Sequence, residues 1–128
     1  MCALQPSAKP SMPSDSVRDA LHDIRDNIYR ARQFVEGLSF ESFRDSALHF
    51  YAATRALEII SEAARRLPPE LQARHAHLPW RDIRDAGNFY RHRYDNVMET
   101  RVWQTILNDL GALLAVTETE INRLEAGS

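Results

Sequence analysis

The chain is poor in cysteine, lysine and glycine, with one Cys (Cys2), one Lys (Lys9) and four Gly in 128 residues. A lone cysteine excludes an internal disulfide framework and fits a reducing, cytoplasmic setting. No apolar run approaches the roughly 20 residues a membrane-spanning helix needs, and Lys9 is followed by no apolar h-region, so no membrane partner and no signal peptide are expected. Strand-like alternation, Gly-rich phosphate loops and internal repeats are absent too. A net charge of −2 excludes coating of nucleic acid by bulk charge, so no DNA partner is expected and any RNA contact has to come from a local patch. Nearly all basic residues are arginine, a bias that a GC-rich genome explains without a demand for guanidinium chemistry.

What is present is helical patterning. An apolar fraction of 44% and a charged fraction of 27% are ordinary for one globular domain with a real core. Residues 1–13 carry three prolines and read as a disordered leader, with Met12 an alternative start. The domain then runs over 14–125, with 126–128 as a tail. Ser14 or Asp15 caps a helix whose stripe is Val17, Leu21, Ile24, Ile28, Ala31, Val35 and Leu38, with Gly37 as its stop. Phe40 and Phe43 anchor a linking turn. A second long helix spans about 45–67 with Leu48, Ala52, Ala56, Ile59, Ile60, Ala63 and Leu67 inward, its Glu58 and Glu62 forming a flank that pairs with Arg55, Arg65 or Arg66. Pro68-Pro69 ends it, and 69–74 forms a single turn. The last helix covers 99–125, with Gly111 predicting a bend or two consecutive helices. The fold class is all-α: an antiparallel four-helix bundle with a short extra helix. His75 and His77 lie in a loop without a cysteine or third ligand nearby, so no metal is expected. No cofactor motif appears.

The chain is organised around residues 79–97, PWRDIRDAGNFYRHRYDNV. Pro79 suits a first helical position. On a helix, Arg84, Asn88 and His92 stand four apart on one face, with Arg91 close to the same stripe and Tyr94 just past His92. Ile83, Ala86 and Tyr90 take the core side. From the residues alone, His92 is either a functional imidazole or a cap on a helix C-terminus. Tyr94 is either functional or a core residue with its hydroxyl on a loop carbonyl, and Arg93 points to solvent.

The strings GLSFESF, ALEIISEAARRLP, PELQARH, LPWRDI, HRYDNV and VWQTI, in that order over residues 14–120, resemble the HEPN superfamily, specifically the HepT-like toxins encoded beside a minimal nucleotidyltransferase antitoxin. The resemblance implies a homodimeric helical bundle, with many members acting as metal-independent endoribonucleases. The family signature is an Arg, four to six residues, then a His, often with a Tyr two beyond. His92 matches the His, Tyr94 the Tyr, and Asn88 the polar residue after the Arg. At the Arg position stands Gly87; the cations nearby are Arg84, one turn earlier, and Arg91, adjacent to His92. The resemblance also implies that Tyr94 is where the antitoxin attaches adenylate.

Cleaving RNA without a metal needs a base for the 2′-OH proton, an acid for the leaving 5′-oxygen and a cation for the charged phosphorane. Imidazole fills either proton role near neutrality. One His per chain does not serve both sides of the phosphate, so two copies of His92 across a twofold axis are favoured. Arg91 or Arg84 clamps phosphate, Asn88 orients the ring or contacts the nucleotide, and Gly87 admits a partner backbone or a nucleotide. Two alternatives remain: a catalytically silent HEPN domain that binds nucleotide or a nucleotidyltransferase partner, and a purely structural dimer whose polar seam is this face.

Overall fold

The structure, a computed structural model, describes residues 13–92 and 96–127, with side chains over 16–89 and 97–127. Among the described residues every regular element is helical: α1 (Pro13–Val35), α2 (Phe40–Arg44), α3 (Ala47–Ala64), α4 (Pro69–Arg74), α5 (Trp80–His92), α6 (Asn96–Gln104), a π-helical turn (Thr105–Asp109) and α7 (Leu110–Ala126). No helix among them is long and apolar enough to cross a membrane.

The first helix follows its stripe closely. Leu21, Ile24, Ile28 and Ala31 are sealed from solvent, and the chain leaves the helix through Gly37, whose φ of +77° few side chains tolerate. The expected linking turn is a short helix instead. Ser39 caps it by accepting from the Ser42 N–H at 3.1 Å, and Phe43 drives into the core against the Trp103 ring, with centroids 5.3 Å apart. Ser46 caps α3, accepting from the His49 N–H at 3.3 Å.

α3 has the expected pitch but a rotated phase. Ala53, Ala56, Leu57, Ile60 and Ala63 are buried, whereas Leu48, expected inside, is 75% exposed. Small residues on that stripe let α1 and α5 lie close on either side of α3. α1 and α3, joined through the short α2 segment, pack antiparallel, and Arg66 just past α3 reaches Asp23 midway along α1 at 2.6 Å. α1 and α7 do the same, with Tyr29 Oη donating to Glu118 at 3.0 Å and Arg32 lying beside Gly111. The glutamate flank pairs with Arg55, at 3.4 Å to Glu58 and 3.7 Å to Glu62. Arg65 is not part of that pairing.

The break predicted at Gly111 takes the form of the π-helical turn just before it. One extra residue there re-phases the helix, so Met98 and Val102 before the turn, Ile106 within it, and Leu110, Leu113 and Ile121 after it all face one core. α5 is held chiefly by α3, which leaves its far side open.

Candidate functional site

α5 starts at Trp80, and Pro79 sits one residue earlier than expected, its carbonyl accepting from the Ile83 N–H at 3.0 Å. The Trp80 indole donates to the His75 carbonyl at 3.0 Å, which fixes the entry of the helix. Trp80 and Gly87 are buried while Ile83, Ala86 and Phe89 are half-buried; Arg81, Asp82, Asp85 and Asn88 are exposed. The helix therefore has the apolar back and polar front that its sequence requires.

α3 grips the α5 backbone at one point. The Ser61 hydroxyl donates to the Arg84 carbonyl at 2.8 Å and accepts from the Gly87 N–H at 3.0 Å. Arg65 Nε donates to the same carbonyl at 2.9 Å. A Cβ on Gly87 would stand 3.0 Å from Ser61 Oγ and 3.3 Å from Ser61 Cβ. The close approach that Gly87 permits within the chain is that of α3, with Ser61 against it. The Arg84 guanidinium is half-buried and hydrogen-bonds the Gln72 side chain on α4. Gln72 is neutral, so the Arg84 charge has no carboxylate partner among the described residues. Asn88, one turn later, is exposed. Arg91 and His92 continue α5 at the backbone, and their side chains lie outside the described residues, as does Tyr94 altogether. Arg101 from α6 stacks over the Phe89 ring, 4.9 Å from its centroid.

A second polar constellation joins the α4–α5 loop to α7. The Glu120 side chain is only 2% exposed. Arg74 donates to it through Nη2 at 2.8 Å and Nε at 3.3 Å, and His75 Nε2 stands 2.6 Å from Oε2. Burial pushes the Glu120 carboxyl pKa up, but the hydrogen bonds from Arg74 and His75, with their charges, outweigh it and leave it below the ordinary carboxylate value. His75 is thus engaged by a carboxylate, and no metal-competent cluster of His, Cys, Asp or Glu exists among the described residues. Sequence reasoning missed Ser61, Arg65 and Glu120. The available signal was a polar residue in an apolar stripe: Ser61 follows Leu57 by four, and Glu120 follows Leu113 by seven.

A groove of about 670 Å³ lies between the end of α1 and the π-helical turn, lined by residues such as Tyr29, Arg32, Trp103 and Leu107. No residue of α5 lines it, so this groove and the arginine-rich helix are separate features.

The profile of the family described as "Ribonuclease HepT-like" matches residues 24–120 of this chain. A protein of Thermococcus cleftensis named "Probable ribonuclease HepT" is 32% identical over 98 residues, which cover 77% of this chain and 89% of that one. A protein of Caldanaerobacter subterraneus subsp. tengcongensis named as a "Putative RNase" is 37% identical over 79 residues, 62% of this chain and 70% of that one. No solved structure matches the chain significantly. With a family profile spanning three quarters of its length and an all-helical bundle to accommodate it, the chain belongs to the HepT-like ribonuclease family of the HEPN superfamily.

Proposed function

We propose that the protein is a metal-independent endoribonuclease that works as a homodimer with a composite site. His92 of one subunit takes the 2′-OH proton, and His92 of the other protonates the leaving 5′-oxygen. Arg91, or Arg84, steadies the charge on the phosphorane. Asn88, one turn before His92, orients the ring or contacts the nucleotide. The observation that supports this reading most is α5 itself: Arg84, Asn88 and His92 fall at four-residue intervals on one uninterrupted helix whose opposite side is packed on α3. The names of the relatives point the same way. In this reading the enzyme is the toxin of a toxin–antitoxin pair, neutralised by a minimal nucleotidyltransferase that attaches adenylate to Tyr94. The test is RNA cleavage in the presence of EDTA by the purified protein and by His92→Ala at the same oligomeric state. Loss of cleavage in the variant supports the site, and equal rates in the two proteins exclude it.

A second reading is favoured by one observation, the closure of position 87 by Ser61. A side chain where the family signature places its arginine would press its Cβ to 3.0 Å from Ser61 Oγ. On that reading the domain is catalytically silent and serves as a nucleotide-binding or partner-binding module for the nucleotidyltransferase. It requires that the wild-type protein fail to cleave RNA while co-purifying with the nucleotidyltransferase, with Tyr94 gaining the mass of adenylate. Cleavage by the wild type eliminates it.

A further inference from the structure

Arg65 stands just past the last residue of α3, exposed, with Nε committed to the Arg84 carbonyl at 2.9 Å. That bond fixes the plane of the guanidinium against the α5 backbone and leaves both terminal nitrogens without a partner among the described residues. Its sequence neighbours do not neutralise it: Glu62, three residues earlier, is bridged to Arg55, and Arg66 is bridged to Asp23 on α1. One helical turn along α5 comes the exposed Asn88. Beside Arg65 lies Arg84, whose charge also lacks a carboxylate among the described residues. A preset guanidinium whose end-on N–H edge has no partner among the described residues is the geometry that suits a phosphate oxygen pair.

We infer that Arg65, held on the α5 backbone through the Arg84 carbonyl, binds a phosphate of the RNA strand next to the one that is cut. This rests on the ribonuclease reading. The eight residues from Arg84 to His92 correspond to about 12 Å of helix, and the bond to the Arg84 carbonyl holds the Arg65 guanidinium at the far end of that span, whereas the Arg84 side chain is tied only to the neutral Gln72. Its contact is therefore made equally in the ground state and in the transition state, which lowers KM without raising kcat. The short reach of Ser61 to Gly87 sets this arrangement, because it draws α3 onto α5 and brings Arg65, four residues on, to the Arg84 carbonyl.

The test is binding of a fluorescein-labelled, mixed-sequence single-stranded RNA with 2′-O-methyl groups, which blocks 2′-OH attack, measured by anisotropy over a range of salt. Each phosphate contact on a single strand contributes about −0.7 to the slope of log K against log salt. Arg65→Gln, whose amide can still reach the Arg84 carbonyl, is expected to lose about 0.7 of slope, and Arg65→Lys to keep it. In steady-state cleavage Arg65→Gln raises KM severalfold with kcat preserved. Arg30, exposed on α1, which is not packed on α5, serves as the control for net charge. A wild-type slope in Arg65→Gln overturns the assignment while leaving the ribonuclease reading intact, and an equal slope loss in Arg30→Gln also overturns it. Absence of RNA binding by the wild-type protein removes both.

Discussion

Replacing Glu120 by Gln probes the one strongly buried carboxylate that the structure describes. The change keeps shape and volume but removes the charge on which three donor nitrogens converge, from Arg74 and His75. Charge-assisted hydrogen bonds in such surroundings are worth roughly 1.5–3 kcal/mol each. Arg74 is 40% exposed on its side chain and turns to water when its partner is lost, so much of its share is recovered. A net cost of about 2 kcal/mol is expected at pH 7, a fall of roughly 5–10 °C in Tm for a domain of this size. The pH dependence follows from the depressed carboxyl pKa. Such a group contributes its stability in full above the unfolded-state pKa and loses it as pH falls through the folded-state value. The wild type therefore keeps its margin over Glu120→Gln from pH 8 to 6. Below about pH 4.5 the margin shrinks, by at most ~1.4 kcal/mol per pH unit. Urea unfolding at fixed protein concentration, from pH 7 to 3.5, reads both quantities. A gap under about 0.5 kcal/mol at pH 7, or one that does not shrink in acid, refutes the view that a charged, well-donated Glu120 clamps the α4–α5 loop to α7.

Two further substitutions test the packing. Gly87→Ala gains about 1 kcal/mol of helix propensity but drives a Cβ to 3.0 Å from Ser61 Oγ, so it should destabilise the fold by about 1–2 kcal/mol. Adding Ser61→Ala should recover part of that loss, giving a coupling above ~0.5 kcal/mol in a double-mutant cycle; strict additivity would show that the two residues do not oppose each other. Phe43→Ala, which empties a fully buried site beside Trp103, should cost about 3–5 kcal/mol in the same unfolding assay.

The helices were legible because periodicity is a property of the chain alone. The α1 stripe from Leu21 to Val35 is buried as its spacing requires, and the disturbance announced by Gly111 lies at the adjoining π-helical turn. Phase was harder to read. α3 carries alanine on several faces, so the apolar signal did not separate the side that meets α1 from the side that exposes Leu48 and Tyr51. Polar residues in the core were illegible one at a time. Ser61 has a purpose only once Gly87 and the Arg84 carbonyl stand opposite it, and Glu120 only once Arg74 and His75 do. Gly87 itself could be read as a close approach, but its neighbour is twenty-six residues away in sequence, and nothing local identified it. For the arginines, spacing named Arg84 and Arg91 near His92, whereas the approach of Arg65 from α3 to the α5 backbone is a tertiary fact.

The composite site is tested most directly by a heterodimer of one wild-type and one His92→Ala subunit, isolated through two different affinity tags and assayed for RNA cleavage in EDTA beside both homodimers. If the base and the acid are the two copies of one histidine, the heterodimer lacks one of them at every site. It should then fall about 100-fold or more below the wild type, close to the doubly substituted homodimer. Retention of half the wild-type rate would mean that each subunit cuts with its own histidine, and would contradict a site shared across the twofold axis.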